Sequence, residues 1–484
     1  MKPKTTPARR NVLALAGTIT VLFSLPTAQA ADRNKANNTT NLNLAGSWDT
    51  LPGIYDVATW TSVVTGANTS LLGADLNWLG IKITNPGGLV TIGSGNTLTL
   101  GAQGINMSAA TQDLTIQSGL ALQKHTGQIW NINTGRVLTL NTGTFTRNRY
   151  STLNVQGLGT VTTSNIFNNA TGIIGPWATF GTGTSAKFAT VNGSNNIVGY
   201  SGTAAATAAA VTDTTGLVNY DVAAVGAFGA GASFNTLRYT GAAGTITGNY
   251  SANGILTAGT GAPTLSGNLT IGNTRELVLT NGDNNAARAL TLSGIISDNA
   301  SGPSGITKTG EGIVKLSGNN TYTGITTVNR GRVELGSNNG LGSPDAGTRL
   351  SSIGVNNSDG GNLNILNGVN TPEPIFLDSS TADRLFYGVG TNEVSGPFRF
   401  NVSVRMFAGT NTTFSGGFST TGGANGSQII VNAPITITNK PFINGSGSNG
   451  SFYMDSAAGQ YRNINVAGSI WGTTVLGNGI LRTG

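Results

Sequence analysis

The fold class that this sequence predicts is an all-β solenoid built from stacked coils. Glycine supplies 72 of the 484 residues, charged residues 9% and hydrophobic residues 38%, a composition typical of many short strands between turns. Apolar and polar residues alternate in stretches such as 87–119, which places one set of side chains on a buried face. Short segments recur in the second half, and repeats of one small unit imply stacking because no unit buries its apolar face alone.

The N-terminus has the three parts of a secretory signal peptide. A basic start at 2–10 precedes an apolar core at 12–25, and Ala28-Gln29-Ala30 follows. We expect cleavage after Ala30, because the apolar run is too short and too interrupted for the ~20 apolar residues of a membrane anchor. Arg9-Arg10 leaves both ordinary and twin-arginine export open.

The charge of the mature chain argues against a nucleic-acid partner. The full chain has 26 basic and 19 acidic residues and a net charge of +7. The signal peptide takes four basic residues, which leaves 22 against 19 and a net charge of +3. No basic cluster with interleaved aromatic residues remains. The chain has no cysteine, so stability cannot come from disulfides.

We divide the chain into four parts. Residues 1–30 are the signal peptide, 31–48 a loose polar leader, 49–240 an N-terminal β-helix region and 241–484 a β-helix region with internal repeats. The Ala/Thr-rich segment 201–216 is interpreted as a linker, a coil with small side chains or a short helix. The clearest internal alignment joins 290–310 to 464–484 without a gap, with a shorter echo at 245–259.

The stretch 305–336 predicts how a coil is built. Val314 and Leu316 point to a buried face, and Gly318 begins a turn whose residues tolerate positive φ. Val328 lies in a second strand, and after a further turn the chain returns to the first face. Three short strands would form one coil, and coils would stack with parallel strands about 4.8 Å apart. Asn and Thr side chains could form ladders between coils.

This stretch resembles the autotransporter-associated β-strand repeat, also called the passenger-associated transport repeat. The positions that fall on its motif and that we single out as structural are Gly310, Gly312, Leu316, Gly318, Asn320, Tyr322, Gly324, Val328 and Gly331. Ile325 and Arg332-Val333 depart from it. The resemblance implies a right-handed parallel β-helix in a bacterial protein that is secreted or exposed on the outer-membrane surface.

Proteins of this type usually end in an outer-membrane β-barrel that anchors or exports the passenger. The sequence before Gly484 shows no run of ~10-residue amphipathic strands ending in an aromatic terminus. It stops where another repeat would begin. We therefore expect a longer protein, whose contact with the membrane is made only through that missing barrel.

No catalytic, cofactor or metal site is predicted. His125 is the only histidine, and we expect it at the surface or at a coil edge rather than in a metal site or triad. The nearest acidic pair, Asp378 and Asp383, is interpreted as a surface corner. A Gly-x-Gly-x-x-Gly match at 445–450 has no helix after it and is discounted.

The sequence favours an exported, non-enzymatic protein with a structural or adhesive role. Its flat Thr- and Asn-rich faces would meet glycans, surfaces or other cells. Trp60, Trp78, Trp130 and Trp177 would either bind sugars or be buried. The alternative is a secreted carbohydrate-active enzyme on the same fold, a polysaccharide lyase or glycoside hydrolase. As one straight solenoid, the mature chain would extend about 80–90 Å.

Overall fold

The structure is a computed structural model that leaves the signal peptide expected at 1–30, Asp383 and the glycine-rich 445–450 outside the described residues. Of Asp378 it describes only the main chain. The described residues are 31–141, 143–283, 285–351, 360–378, 385–388, 390–400, 404–408, 412–416, 418–420, 428–431, 435–437, 451–454, 463–466, 473–475 and 480–483.

The described chain forms two consecutive parallel β-solenoids, so the all-β solenoid expected from the sequence is confirmed. The expected right-handed winding stays a prediction. The first solenoid has an 11-stranded sheet and a 5-stranded sheet, and the second has sheets of 13, 11 and 6 strands. Strands of successive coils stack in parallel, and the direction alternates only where β14, β15 and β16 close the first solenoid.

The strands of the first solenoid are β1 (Asp32–Asn34), β2 (Val57–Trp60), β3 (Asn68–Ser70), β4 (Leu76–Ile83), β5 (Val90–Ile92), β6 (Thr97–Met107), β7 (Leu114–Ile116), β8 (Gly119–Leu122), β9 (Gly127–Ile132), β10 (Val137–Leu140), β11 (Phe145–Arg147), β12 (Thr152–Gly157), β13 (Thr160–Thr163), β14 (Ala178–Phe180), β15 (Lys187–Val191) and β16 (Ile197–Gly199). The 5-stranded sheet contains β3, β5, β7, β10 and β13, and the 11-stranded sheet contains the others.

The second solenoid begins with β17 (Thr203–Ala205), β18 (Asn219–Val222), β19 (Ala232–Tyr239), β20 (Gly244–Ile246), β21 (Tyr250–Thr257), β22 (Pro263–Leu265), β23 (Leu269–Ile271), β24 (Glu276–Asn281), β25 (Leu290–Leu292), β26 (Ile296–Ser297), β27 (Gly305–Thr309), β28 (Ile313–Leu316), β29 (Thr326–Val328), β30 (Gly331–Leu335) and β31 (Thr348–Ser351). It continues with β32 (Gly361–Ile365), β33 (Asn370–Thr371), β34 (Ile375–Asp378), β35 (Leu385–Gly388), β36 (Asn392–Val394), β37 (Phe398–Phe400), β38 (Val404–Ala408), β39 (Thr412–Phe414), β40 (Phe418–Thr420), β41 (Gln428–Val431), β42 (Ile435–Ile437), β43 (Ser451–Met454), β44 (Asn463–Val466), β45 (Thr473–Val475) and β46 (Ile480–Thr483).

Helical structure in the described residues consists of single 3-10 turns. They lie at Ala45–Ser47, Gly183–Ser185, Ala208–Ala210 and Ala286–Arg288. None of the helices in this part of the chain is long and apolar enough to span a membrane.

Period-two patterning explains why these segments form stacked strands. In the 5-stranded sheet, Leu114 lies between Val90 and Leu138 of the neighbouring coils, and all three side chains are buried. Thr91 and Thr115 alternate with them and point outward. Each fully buried Val or Leu stabilises a coil by about 1.5–3 kcal/mol, so such columns hold the chain together without disulfides.

Residues 31–48 are packed into the first solenoid and are not the loose leader expected from their polarity. Strand β1 pairs with β2, and Leu42 and Trp48 are buried. Lys35 is buried as well, and its ammonium donates to the carbonyl of Asn38 at 2.7 Å. Trp48, Trp60 and Trp78 meet edge to face with ring centroids 5.3–6.5 Å apart, so these tryptophans cap a core.

The Ala/Thr-rich segment 201–216 contains the first coil of the second solenoid. Strand β17 pairs with β18, and Ala205, Ala208 and Val211 are buried in the second core. The segment is therefore a coil with small side chains, and it also contains a short helix, the 3-10 turn Ala208–Ala210. Both were among the three alternatives left open by its composition. The sheets change between Gly199 and Thr203, earlier in the chain than the boundary expected at 240.

The repeat stretch spans two successive coils, which corrects the prediction that its three strands form one coil. Strand β30 stacks directly on β28, with Val333 beside Val314 and Leu335 beside Leu316. All four side chains are buried, as the alternation predicts. Strand β29 stacks on β27 in a different sheet.

The singled-out positions of the repeat have distinct roles in this geometry. Gly310 and Gly331 have φ of +77° and +68°, a region that residues with a Cβ rarely occupy. The buried Asn320 accepts from the amide of Ile296 at 2.9 Å and donates to the carbonyl of Gly340 at 2.7 Å. The hydroxyl of buried Tyr322 lies 2.6 Å from the Thr326 hydroxyl. At Gly312, Gly318 and Gly324, a Cβ would overlap the main chain of a neighbouring coil.

Candidate functional site

The two solenoids lie side by side and run in opposite directions. Thr171 contacts Asn235, Thr152 contacts Thr309, and Thr126 contacts Asn329. Along the interface, the residue numbers of the first solenoid therefore decrease as those of the second increase. The 11-stranded sheet of the first faces the 13-stranded sheet of the second. We call this interface, formed mainly by β9, β12 and β14 against β24, β27 and β29, the seam. The prediction that the mature chain forms one straight solenoid is therefore wrong.

The strands of the second solenoid at the seam are buried on both faces. In β24, Leu277 and Leu279 enter the solenoid core, while Val278 and Thr280 between them face the seam. Every residue of β27 is buried as well. A parallel strand covered on both faces normally shows a continuous apolar run. Here, hydroxyl and amide side chains occupy much of the outer face and find partners across the seam.

Asn329 hydrogen-bonds to three groups of the first solenoid. Its amide donates to the carbonyl of Tyr150 at 2.8 Å and lies 3.2 Å from both the carbonyl of Thr126 and the hydroxyl of Thr152. The Thr152 hydroxyl in turn donates to the Thr309 hydroxyl at 2.9 Å. These groups are buried, and a buried amide without partners would cost about 1–3 kcal/mol, so this network fixes the register of the two solenoids.

Arg147 and Glu276 form a bidentate ion pair across the seam. The two guanidinium nitrogens donate to the two carboxylate oxygens at 2.9 and 2.7 Å. The hydroxyl of Thr307 also donates to this carboxylate at 2.7 Å, and Arg147 lies over the ring of Trp177. With Glu276 nearly buried, loss of the arginine would leave an uncompensated charge.

His125 lies at an edge of the seam. Its imidazole stacks on Tyr150 with centroids 5.3 Å apart, and its Nδ1 lies 3.1 Å from the Thr327 hydroxyl. Burial, and then the nearby positive charges of Arg349 and Lys124, lower the pKa of His125 to about 3. The ring is thus neutral at physiological pH. No group of three or more His, Asp or Glu side chains that could hold a metal ion occurs among the described residues.

An apolar cluster covers the end of the seam nearest to residue 200, where the first solenoid ends and the second begins. Ile173, Ala186 and Phe188 of the first solenoid pack against Leu256 and Ala258 of the second. Gly254 contributes by its lack of a side chain, because a Cβ there would lie 2.8 Å from the ring of Pro176. Hydrophobic contact and polar pairing therefore both hold the solenoids together.

The seam opens locally into a small groove of about 60 Å³, part of which is exposed to solvent. The first solenoid lines it with the amides of Gln128, Asn154 and Gln156 and the hydroxyl of Thr179. The Thr179 hydroxyl donates to the Asn154 carbonyl oxygen at 3.0 Å, and the Asn154 amide lies 3.4 Å from the Gln156 carbonyl oxygen. This wall is a chain of neutral hydrogen-bonding groups.

The second solenoid lines the groove with Thr280, Thr309 and the ion pair of Arg330 with Glu311. The Arg330 Nε donates to Glu311 at 2.9 Å. The Thr280 hydroxyl is buried and has no hydrogen-bond partner. Glu311 is the only acidic side chain among the described residues of the lining, whereas glycoside hydrolysis normally uses two carboxylates.

Lys308 lies beneath this part of the groove, fully buried in the second solenoid. Its ammonium donates to the carbonyls of Arg330, at 2.8 Å, and of Gly310. Burial lowers the pKa of Lys308 to about 7, with the positive charges of Arg330 and Arg332 adding to the effect and Glu311 opposing it. Lys308 thus fixes the main-chain positions from which Glu311 and Arg330 project.

Comparison with known proteins identifies a known repeat and one similar protein. The family described as passenger-associated-transport-repeat matches residues 306–335. The chain carries a passenger-associated-transport repeat. It is also 28% identical over 259 residues to the adhesin BmaC autotransporter of Brucella suis biovar 1 (strain 1330), which covers 51% of this chain and 7% of that protein. The chain thus corresponds to a small part of its relative's length. No solved structure is significantly similar to it.

Sequence reasoning placed the repeat but missed the seam. His125 lies at a coil edge, as expected, although it is half-buried against the other solenoid. Trp60, Trp78 and Trp130 are buried in the first core, and Trp177 is half-buried. The missed residues include Asn329, Glu276 and Thr309. A signal was present in "GITKT" and "TTVN", where small hydroxyl or amide side chains alternate with core residues.

Proposed function

We propose that the chain is a passenger segment of an exported autotransporter that acts as a non-catalytic adhesin at the bacterial surface. The observation that carries this proposal is the passenger-associated-transport repeat at 306–335. The similarity to a Brucella protein whose name is adhesin supports the adhesive role. The signal peptide expected at 1–30 supplies the export route.

The physical form of the molecule suits this role. Stacked coils expose flat rows of hydroxyl and amide side chains, such as Thr91 and Thr115 on the first solenoid. The cores are filled by aliphatic columns, so no cofactor or disulfide is needed to maintain these rows outside the cell. A rigid surface of this kind can meet glycans, surfaces or other cells.

Cell fractionation and adhesion assays of the native gene test the proposal. We expect an antibody against residues 31–351 to label intact cells, and protease treatment of intact cells to remove that signal. Deletion of the gene should reduce attachment to host cells or to a glycan-coated surface, and complementation should restore it. Retention of the chain inside untreated cells would contradict the proposal.

A polysaccharide panel separates the adhesin from the carbohydrate-active enzyme. The purified chain should release no reducing ends from any polymer of the panel above the level of a heat-unfolded sample. Release by the folded chain would establish the enzyme alternative and exclude a purely adhesive role.

A further inference from the structure

We propose that Glu373 is a pH-sensitive switch of the second solenoid. While its carboxyl group is neutral, the coils of β31 and β34 stay stacked, and loss of its proton loosens them. The inference goes beyond the adhesive function, because it concerns how these coils respond to pH rather than what the chain binds. It starts from a short stretch of sequence, Thr371-Pro372-Glu373-Pro374, at the corner that leads into β34.

Two prolines hold Glu373 in place at this corner. The rings of Pro372 and Pro374 fix their own φ, and a proline also restricts the residue before it. The preceding coil is bonded to the corner, because the Thr348 amide donates to the Pro374 carbonyl at 2.7 Å. The next coil packs directly against it, since a Cβ at Gly396 would lie 2.2 Å from the Glu373 carbonyl oxygen. The carboxyl group therefore cannot reach water unless the stack opens.

The carboxyl group of Glu373 is buried without a positively charged partner among the described residues. Glu373 is 2% exposed. Its Oε1 accepts from the Thr348 hydroxyl at 3.3 Å, and its Oε2 is buried with no hydrogen-bond partner. Buried charges in folded proteins are normally paired and hydrogen-bonded. This environment suits a neutral carboxyl group and leaves an ionised one without compensation.

The charged groups on the neighbouring elements do not supply that compensation. The titratable and charged side chains described on the elements around this corner are Tyr322, Asp345, Arg349, Glu393 and Arg399. Tyr322 carries a phenol, and Asp345 and Glu393 carry carboxyl groups, so none of these three can neutralise a carboxylate. Arg349 and Arg399 both lie over the ring of Phe376. Phe376 is placed between two core residues of β34 and so points to the outer face of the sheet.

The direction of the pH effect follows from the buried position of Glu373. Burial raises the pKa of Glu373 to about 8, the charge of Asp345 adds to this effect, and the hydrogen bond from Thr348 opposes it. Between pH 4.5, the ordinary pKa of a glutamate, and pH 8, the folded coils keep a proton that unfolded coils have lost. Their free energy of unfolding therefore falls as pH rises through this range.

Strand β31 extends the effect to the seam. Thr348, at the start of β31, donates to Glu373, and Ser351, at its end, donates to the carbonyl of His125 in the first solenoid. Loosening of β31 would therefore also weaken a contact between the two solenoids.

Hydrogen exchange of the purified full chain, followed by mass spectrometry from pH 5 to pH 8, tests the inference. Glu373→Gln keeps the shape of the neutral carboxyl group but cannot ionise. Comparison of the two proteins at the same pH removes the intrinsic pH dependence of exchange. In peptides covering 343–351 and 371–378, the wild type should exchange faster than the variant, by a ratio that grows up to about tenfold for each pH unit.

Glu334→Gln is the matched control, because Glu334 is a half-buried glutamate of β30 that lies 3.2 Å from Arg332. The ratio of wild type to this variant should stay constant with pH. Glu373→Met is a second variant that removes the ionisable group, and it should behave like Glu373→Gln. Circular dichroism confirms that each variant folds. Peptides of β5 and β7, in the first solenoid, should show a constant ratio in every comparison.

Two results would overturn the inference. One is a ratio of wild type to Glu373→Gln that stays constant from pH 5 to pH 8, which would mean that the proton of Glu373 does not hold these coils. The other is a ratio that rises equally in peptides of β5 and β7, which would show that ionisation acts on the whole molecule. Cell attachment is measured separately, so the switch and the adhesive function can fail independently.

Discussion

Lys308 shows at the scale of a residue how the repeat accommodates a buried basic group. A buried ammonium is costly to desolvate, but two main-chain carbonyls, those of Gly310 and Arg330, accept its hydrogen bonds. Burial nevertheless lowers the pKa of Lys308 to about 7, against 10.5 for an exposed lysine. Lys308 lies within the matched repeat at 306–335, but its surroundings follow only from the coil geometry.

The pKa of Lys308 predicts a pH-dependent contribution to stability. Between pH 7 and pH 10, the unfolded chain keeps this proton and the folded chain has lost it, so the free energy of unfolding rises with pH. Below pH 7 both states hold the proton, and the penalty for burying the charge is complete. Lys308→Met removes this contribution, so wild type should gain stability relative to the variant as pH rises from 6.5 to 9.5.

Urea unfolding at several pH values measures this difference. Lys315→Met is the control, because Lys315 alternates with the buried residues of β28 and is half-buried. Its difference from wild type should stay constant with pH. A constant difference for Lys308→Met as well would mean that Lys308 is not desolvated in the folded protein.

At the scale of the element, each coil is defined by a short strand and its place in a column. In β28, Leu316 stacks between Leu292 of β25 and Leu335 of β30. The alternation of apolar and polar residues predicted these inward side chains from the sequence alone. The assignment of β28 and β30 to the same coil was wrong. Two strands with the same alternation of apolar and polar residues can belong to one coil or to two stacked coils, and the alternation does not distinguish these arrangements.

Leu316→Asp tests the column. The substitution buries a carboxylate among leucines and removes their packing partner, so we expect a loss of about 4 kcal/mol or more. The melting temperature measured by circular dichroism should fall sharply. Lys315→Asp, one residue away on the outer face, should change it little. Similar melting of the two variants would show that Leu316 faces solvent.

Ladders of asparagine between coils are a second feature of this scale. Asn235 donates to Asn219 at 2.7 Å, and Asn253 donates to Asn235 at 3.1 Å. All three side chains are buried. Ladders of Asn and Thr were expected at the corners of coils, whereas these asparagines lie within strands β18, β19 and β21. The specific residues could not be named in advance because coil length varies, so equal spacing in sequence does not give equal positions in the stack.

At the scale of the whole molecule, the seam converts one long solenoid into two antiparallel ones. Its central ion pair joins Arg147 to Glu276, residues far apart in sequence. An arginine paired this way with a nearly buried carboxylate is expected to matter far more than a surface pair. The groove and the outer shape of the protein both depend on this docking.

Arg147→Met tests the seam. Loss of the arginine leaves Glu276 as an unpaired buried charge, and we expect a destabilisation of about 3–5 kcal/mol. The double variant with Glu276→Leu should recover much of this loss. Small-angle X-ray scattering should show a larger maximum dimension for Arg147→Met if the solenoids separate. Arg136→Met, which removes an exposed pair with Asp113, should change stability by no more than about 1 kcal/mol. Equal effects of Arg147→Met and Arg136→Met would contradict the seam.

The sequence by itself determined the coils, because period-two alternation decides locally which side chains enter a core. It also predicted the turn at Gly331, where φ is +68°. The positive φ expected in the turn that begins at Gly318 is wrong, because neither Gly318 nor the two asparagines after it have positive φ. The tertiary structure alone decided the reversal near residue 200, the seam and the groove. Thr307, Thr309 and Asn329 carry the same side chains as residues facing water. Thr309 and Asn329 contact residues of the first solenoid more than a hundred positions away in the chain. Thr307 contacts Glu276 of its own solenoid, and Glu276 pairs with Arg147 across the seam.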